Sequence, residues 1–218
     1  MASKPEQLAP YPNIFNMQVD FPELIQHVKP RLEYGKKNRL FSKLLPYIFL
    51  KRIENQHQLF FGGHGNSFPN VHIDEFWVHT QLTQIIGKKE FILYAPDQSQ
   101  YMYPDQKSSR KSQVNNIHNP DLENFPLFKN ARALKVIVHP GESIFIPSGW
   151  WHTTYIHDFN LSFSLDHVNE FNWEVFMLNN YEEIKINHPK FAWIALFYSR
   201  IGKYLFNITE SLFYKFKN

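Results

Sequence analysis

The stretch "PSGWWHTTYIHD", Pro147 to Asp158, follows directly on the apolar run "SIFI", Ser143 to Ile146. A short apolar strand, a Pro-Ser-Gly turn, then two tryptophans and a histidine open the next strand. "HPGE" (His139 to Glu142) and "HDFN" (His157 to Asn160) punctuate the chain on either side. Residues 133–168 therefore read as three or four short strands split by Gly/Pro turns. Many short strands with such turns point to a sandwich or a barrel. The two tryptophans admit two readings: plain core packing, or the walls of a dry pocket whose working group is His152.

Working outward, the strand texture begins near Gln58 with "QLFFGG". It continues through "VHID" (Val71 to Asp74), "FWVHTQLTQII" (Phe76 to Ile86) and "KKEFILYAP" (Lys88 to Pro96). Gly87 between two alternating runs predicts a hairpin. The polar segment from Asp97 to about Asn130 exceeds ordinary loop length, so it is functional or carries small elements of its own. Residues 1–58 read as a helical and irregular flank. "FPELIQHV" (Phe21 to Val28) and "NRLFSKLLPYIFLKRI" (Asn38 to Ile53) have helical spacing, the second broken at Pro46. Residues 59–168 form the strand-rich core, and 169–218 a helical extension. There "EFNWEVFMLNNYEEIKI" is one helix stopped by Pro189. Beyond it Ile194, Tyr198, Ile201, Leu205, Ile208 and Leu212 alternate spacings of four and three. That seam wants a partner helix. It packs on its own domain, makes a homodimer, or, with Lys203, Lys215 and Lys217, lies on a membrane surface.

The chain has 218 residues, enough to bury a core without staples. It has no cysteine, which excludes disulfides, thiolate zinc sites, iron–sulfur clusters and cysteine nucleophiles. The 21 Phe, 11 Tyr and 5 Trp favour a β-rich core or a large aromatic interface. The formal charge of +3 is mild. The basic clusters "RLEYGKKNRL" and "KSSRK" read as solvated surface, so no specific nucleic-acid partner is expected. The first residues carry no apolar h-region and no stretch is long enough to span a membrane, so a cytoplasmic protein is expected. The sequons at Asn160 and Asn207 then occur by chance.

The chemistry concentrates in "VHID". On a strand, residues i and i+2 share a face, so His72 and Asp74 project together. An imidazole and a carboxylate are two corners of a metal site. A third ligand from a facing strand would complete a two-His-one-carboxylate set, which leaves positions open on iron. His152 sits where such a strand begins. His-x-Asp alone is a weak motif; the strands after it and the distal histidine on a Pro/Gly-punctuated pair add the context.

Five pieces in order, "HID", "QIIGKKEFILYAPDQ", "YMYP", "SQVNNIHNPDLENFPLF" and "HPGESIFIPSGWWH", resemble the JmjC-type, cupin-like Fe(II)/2-oxoglutarate oxygenases. The likeness is greatest to the hydroxylase branch that includes the asparaginyl hydroxylase acting on hypoxia-inducible factor. It covers about Phe60 to Asp166. It implies a mainly β fold, a double-stranded β-helix (jelly roll) with flanking helices, and Fe(II) held by His72, Asp74 and His152. By the same resemblance Lys89 pairs with the distal carboxylate of 2-oxoglutarate, and Thr80 and Leu82 line that pocket. The implied reaction takes O2 and 2-oxoglutarate, releases succinate and CO2, and hydroxylates a C–H bond. The chain departs from the pattern at Pro69, where many relatives have threonine. It departs again at "LDHV" (Leu165 to Val168), which puts Asp166 at an asparagine position with no tryptophan after it. The N-terminal region is short for the family. The remaining histidines are surface or structural groups on this reading, with His64 and His79 nearest the mouth of the site.

Three functions follow. The first is a 2-oxoglutarate-dependent hydroxylase acting on a protein, peptide or small molecule. The second is a metal-binding cupin that does not use 2-oxoglutarate. The third is a non-catalytic scaffold that dimerises through its C-terminal helices.

Overall fold

The fold is described from a computed structural model, in which residues 13–28, 57–68, 70–187 and 189–215 are placed. The segment Asn38 to Ile53, read above as a broken helix, and Pro69 lie outside the described residues.

Among the described residues there are eight strands: β1 (Asn13–Asn16), β2 (His57–Gly62), β3 (His79–Ile86), β4 (Lys89–Tyr94), β5 (Leu134–Val138), β6 (Ser143–Ile146), β7 (Trp151–Ile156) and β8 (Asn160–His167). They form a five-stranded sheet in the order β1-β2-β8-β3-β6 and a three-stranded sheet in the order β5-β4-β7. Two sheets joined by strands that alternate between them are the expected jelly-roll core. β1 was not foreseen, because four residues of "NIFN" carry too little alternation to register as a strand.

The hairpin expected at Gly87 is absent. β3 and β4 lie in different sheets, so Gly87 is a corner between them. The cause is local. Gly87 has φ +74°, and a Cβ there would sit 2.0 Å from the Phe159 carbonyl oxygen. Only glycine allows that approach. Gln84 pins the corner by donating from Nε2 to the carbonyls of Ile86 (2.6 Å) and Gly87 (3.0 Å).

β4 runs antiparallel between β5 and β7, with Leu93 opposite His152 and Lys89 opposite Ile156. Lys89, Phe91 and Leu93 therefore share one face of β4. Leu82, Phe91, Leu93, Val138 and Ile146 form the buried cluster of this unit, with Phe60, Ile144 and Trp150 packed on it. This unit contains Gln58–Asp74 and Gln81–Ser164. The long segment 97–130 does carry elements of its own, short 3-10 helices at Pro96–Tyr101 and Pro126–Asn130. Trp151 holds the first of them by donating Nε1–H to Ser99 Oγ at 2.8 Å.

The other unit contains Glu75–Thr80 and Leu165–Asn218. Besides the short α1 (Met17–Asp20), α2 (Trp173–Asn187) and α3 (Ala192–Lys215) pair here around Trp173, Phe176, Met177 and Ala195. Part of the 4–3 seam read from the sequence is turned inward, while the side chains of Ile208 and Leu212 lie outside those described. Ile194, Tyr198 and Leu205 pack on this cluster, so α2 is a partner of the seam. No helix among the described residues is long and apolar enough to cross a membrane.

Trp173 is fully buried and donates Nε1–H to the Tyr198 carbonyl at 2.7 Å. It fits because α3 presents Gly202: a Cβ there would lie 1.8 Å from Trp173 Nε1. Gly202→Ala should therefore lower the unfolding free energy by about 1–3 kcal/mol, the usual cost of overpacking a filled core. Denaturant unfolding checks this. An unchanged midpoint would mean that the ring is not seated against α3.

Candidate metal centre

His72, Asp74 and His152 each place a ligand atom within 4.8 Å of the others. Among the described residues they are the only group of three His, Asp or Glu side chains so arranged. Nε2 of His72 is 3.8 Å from Asp74 Oδ1, and Nε2 of His152 is 3.5 Å from the same oxygen.

The backbone brings them together. His72 donates its N–H to the His152 carbonyl at 2.9 Å, and His152 returns the bond at 2.8 Å. From the long segment, Ser112 N–H reaches the Val71 carbonyl and Ile73 N–H reaches the Arg110 carbonyl, both at 2.8 Å. The first ligand is thus clamped from both sides, although it lies in no regular strand, only in isolated bridges to His152 and Lys111. Phe68 lies against it, its ring stacked on the His72 imidazole at 4.1 Å.

The imidazoles are oriented in the same way. His72 Nδ1 is 3.1 Å from the Asn70 carbonyl and His152 Nδ1 is 3.2 Å from the Trp150 carbonyl. A carbonyl only accepts, so Nδ1 carries the proton in each ring. That leaves the Nε2 lone pairs directed at the Asp74 side, as metal-binding histidines require. The donor set, two neutral imidazoles and one carboxylate with buried surroundings, fits a divalent first-row metal with positions left open. Burial, followed by the neighbouring His152, pushes the His72 pKa down to about 4. Burial lowers that of His152 too, but the charge and hydrogen bond of Asp74 outweigh it and the net direction is upward. Without a metal, His152 is the ring that takes a proton.

Lys89 is 1% exposed. Its Nζ lies 5.1 Å from the centre of the Phe60 ring and 5.6 Å from that of Phe91. Burial pushes its pKa from 10.5 to about 7. Its Cα is four residues along β4 from Leu93, the cross-strand partner of His152. At strand rise that is roughly 13 Å. Leu82 joins the same interior through Phe91 and Phe60.

Thr80 belongs to the other unit, where its hydroxyl donates to Asp166 Oδ1 at 3.1 Å. The unexpected carboxylate of Asp166 is therefore paired. Trp150 and Trp151 divide the work that the opening stretch suggested. The Trp150 carbonyl orients His152 while its ring packs on the Leu82 cluster, and Trp151 anchors the 3-10 helix of the long segment. Gly149, at φ +81°, supplies the left-handed turn residue, with Trp150 N–H bonded to the Pro147 carbonyl at 3.2 Å.

Sequence reasoning missed Phe68, Arg110 and Ser164. Arg110 donates from Nη1 to the Ile73 carbonyl at 3.1 Å, between the two ligands of the His-x-Asp pair. Ser164 is 1% exposed and lies two residues from Ser162, whose hydroxyl meets Gln84 Oε1 at 3.0 Å. The alternation "NLSFSLD" carried that signal, since it puts Asn160, Ser162, Ser164 and Asp166 on one strand face. Of the other histidines, His79 pairs with Asn169 Oδ1 at 3.2 Å and His157 lies 3.4 Å from Glu90 Oε2. Both are structural contacts; His188 is outside the described residues.

A jelly-roll core with two histidines and an aspartate converging inside it is the arrangement of a candidate cupin-type metal centre. The Cupin-like domain family matches residues 4–172, and the chain belongs to that family. It is 30% identical to human tRNA wybutosine-synthesizing protein 5 over 141 residues, 62% of this chain and 43% of that one. It is 33% identical to rat HSPB1-associated protein 1 over 125 residues, covering 55% and 26% of the two chains. Against JmjC domain-containing protein D of Dictyostelium discoideum the identity is 35% over 89 residues, 40% of this chain and 19% of the other. The match spans less than half the length of each of these relatives.

His72→Ala and Asp74→Ala should each weaken divalent-metal binding by at least about 100-fold, more than the loss usual for an outer-sphere partner. Metal content after equilibrium dialysis checks this. Retention of a full metal equivalent by either variant would exclude these residues as ligands.

Proposed function

We propose that this chain is an Fe(II)- and 2-oxoglutarate-dependent oxygenase that hydroxylates a C–H bond of a protein, peptide or small molecule. The observation that carries the reading is the pairing, inside one β core, of the His72–Asp74–His152 cluster with the buried Lys89. A metal centre alone would suit many cupins. A buried lysine on the β4 face that carries Phe91 and Leu93 adds a cationic group suited to an anionic co-substrate.

In this reading His72, Asp74 and His152 hold the metal through Nε2, a carboxylate oxygen and Nε2. Their Nδ1–H groups are tied to the Asn70 and Trp150 carbonyls, so neither ring turns away. Lys89 receives the far carboxylate of the co-substrate, and Leu82, Phe60 and Phe91 keep water from that ion pair. Bound iron and 2-oxoglutarate would supply the oxidation, with one atom of O2 ending in the substrate hydroxyl, the other in succinate, and CO2 released. The Thr80 bond to Asp166 supports the reading, since a paired carboxylate repels an anionic co-substrate less than an open one. Relatives whose names point to tRNA modification and to association with a protein share this core. The substrate is then chosen outside it, in loops such as 97–130.

The test is succinate release. Protein loaded with Fe(II) without oxygen, then given 2-oxoglutarate and air, should form succinate slowly without added substrate, and His72→Ala should form none. If the wild type forms none and binds no 2-oxoglutarate anaerobically, the chain is a cupin of other chemistry or a scaffold.

Lys89 gives a second test with a defined sign. Its pKa is about 7 in the fold and 10.5 by default, so the unfolded chain holds more protons between those values. Wild-type stability therefore rises with pH across that window. Lys89→Met should stabilise the protein most below pH 7, with the gain shrinking towards pH 10.5, and should remove 2-oxoglutarate binding. Above pH 7 the wild type should take up close to one proton per 2-oxoglutarate bound, measured by calorimetry in buffers of different ionisation enthalpy. Uptake near zero throughout would mean that Lys89 does not meet the co-substrate.

A further inference from the structure

Among the described strands β5 pairs only with β4, so it is the edge of its sheet. The next ladder fixes which way its main-chain groups point. His157 donates its N–H to the Lys88 carbonyl at 3.1 Å, one step before the pair Lys89–Ile156. Antiparallel partners alternate between bonded and unbonded pairs. Glu90, Ile92 and Tyr94 therefore bond towards β7, and Lys89, Phe91 and Leu93 towards β5. Their partners Val138, Val136 and Leu134 are bonded inside the sheet. Lys135 and Ile137 turn their N–H and C=O groups to the open side, where no hydrogen bond from a described residue reaches them.

The side chains are open as well. Leu134 and Val136 share the face of the buried Leu93 and Phe91, yet they are 60% and 42% exposed. Ile137, on the opposite face, is 46% exposed. A strand uncovered along its edge and on both faces is a template for one more strand. The single charge on β5 is Lys135. It stands opposite Ile92, and Glu90, two residues along β4, lies against His157 at 3.4 Å. Just before the edge, Lys129 and Arg132 line a cavity of about 570 Å³ together with Tyr101 and Asp97. Three cations beside one carboxylate favour an acidic guest.

We propose that β5 docks an extended acidic segment of a partner protein, which adds a strand to the β5-β4-β7 sheet. The main-chain groups of Lys135 and Ile137 hold it. Apolar residues at alternate positions of the guest cover Leu134 and Val136, and carboxylates between them meet Lys135. A second copy of β5 does not supply this chemistry. Its sequence "LKVIV" has no carboxylate, and twofold pairing would set Lys135 against Ile137 or against another lysine. The docking is independent of the chemistry at His72.

The test is fluorescence anisotropy of the full chain with the labelled peptide Ser-Val-Glu-Val-Glu-Val-Ser. It should bind saturably, one per chain, and at least about tenfold more tightly than Ser-Glu-Val-Val-Val-Glu-Ser, which has the same composition without the alternation. Ile137→Pro removes an N–H that the sheet does not use, so it should abolish binding with the melting temperature unchanged. Lys135→Glu, at an exposed position, should weaken binding about tenfold and restore it for the peptide with lysine in place of both glutamates. This exchange of charge carries the test alone if the proline disturbs the strand. No binding of the acidic peptide to the wild type would overturn the proposal. Binding that both variants leave intact would place the peptide elsewhere and overturn it too. A wild-type dimer in light scattering that Ile137→Pro abolishes would assign the edge to a second copy and exclude the partner segment.

Discussion

Two backbone hydrogen bonds, exchanged between His72 and His152, are the constraint around which the centre is built. They join a segment with no regular strand of its own to the start of β7. Once that pair forms, each imidazole is two residues beyond a carbonyl that can accept its Nδ1–H. Asp74 then follows with one residue between. Three donors converge because the main chain is fixed first and the side chains have one way left to turn.

The long segment 97–130 matters for the same reason. Arg110 and Ser112 bond the main chain on both sides of His72. Trp151, next to the last ligand, bonds the start of that segment through Ser99. A ligand outside regular structure would otherwise be free to move, and about 1 kcal/mol per hydrogen bond is enough, summed over several, to hold it. Segment 97–130 thus braces the candidate metal site as well as connecting β4 to β5.

Lys89 is a buried lysine held at a cost in stability. A buried cation between two rings lowers its own pKa and weakens the apo fold. Gln84, Asn160, Ser162 and Ser164 are likewise buried polar residues inside a β core. Gln84 and Ser162 are hydrogen-bonded to each other, and Gln84 also holds the Gly87 corner.

The sequence by itself determined a β sandwich or barrel, because strand period and turn residues are local properties that survive in the order of letters, and its resemblance to the JmjC-type oxygenases implied the jelly roll and the grouping of His72 and Asp74 with His152. It also determined the two C-terminal helices. It misjudged Gly87, whose corner depends on the Phe159 carbonyl passing close by, and it passed over Phe68, Arg110 and Ser164. It left open what the Ile194–Tyr198–Leu205 line of α3 packs against. The tertiary structure decided these points for one physical reason. Each depends on what approaches from a distant part of the chain: a carbonyl against a glycine, a ring against an imidazole, or α2 against one side of α3.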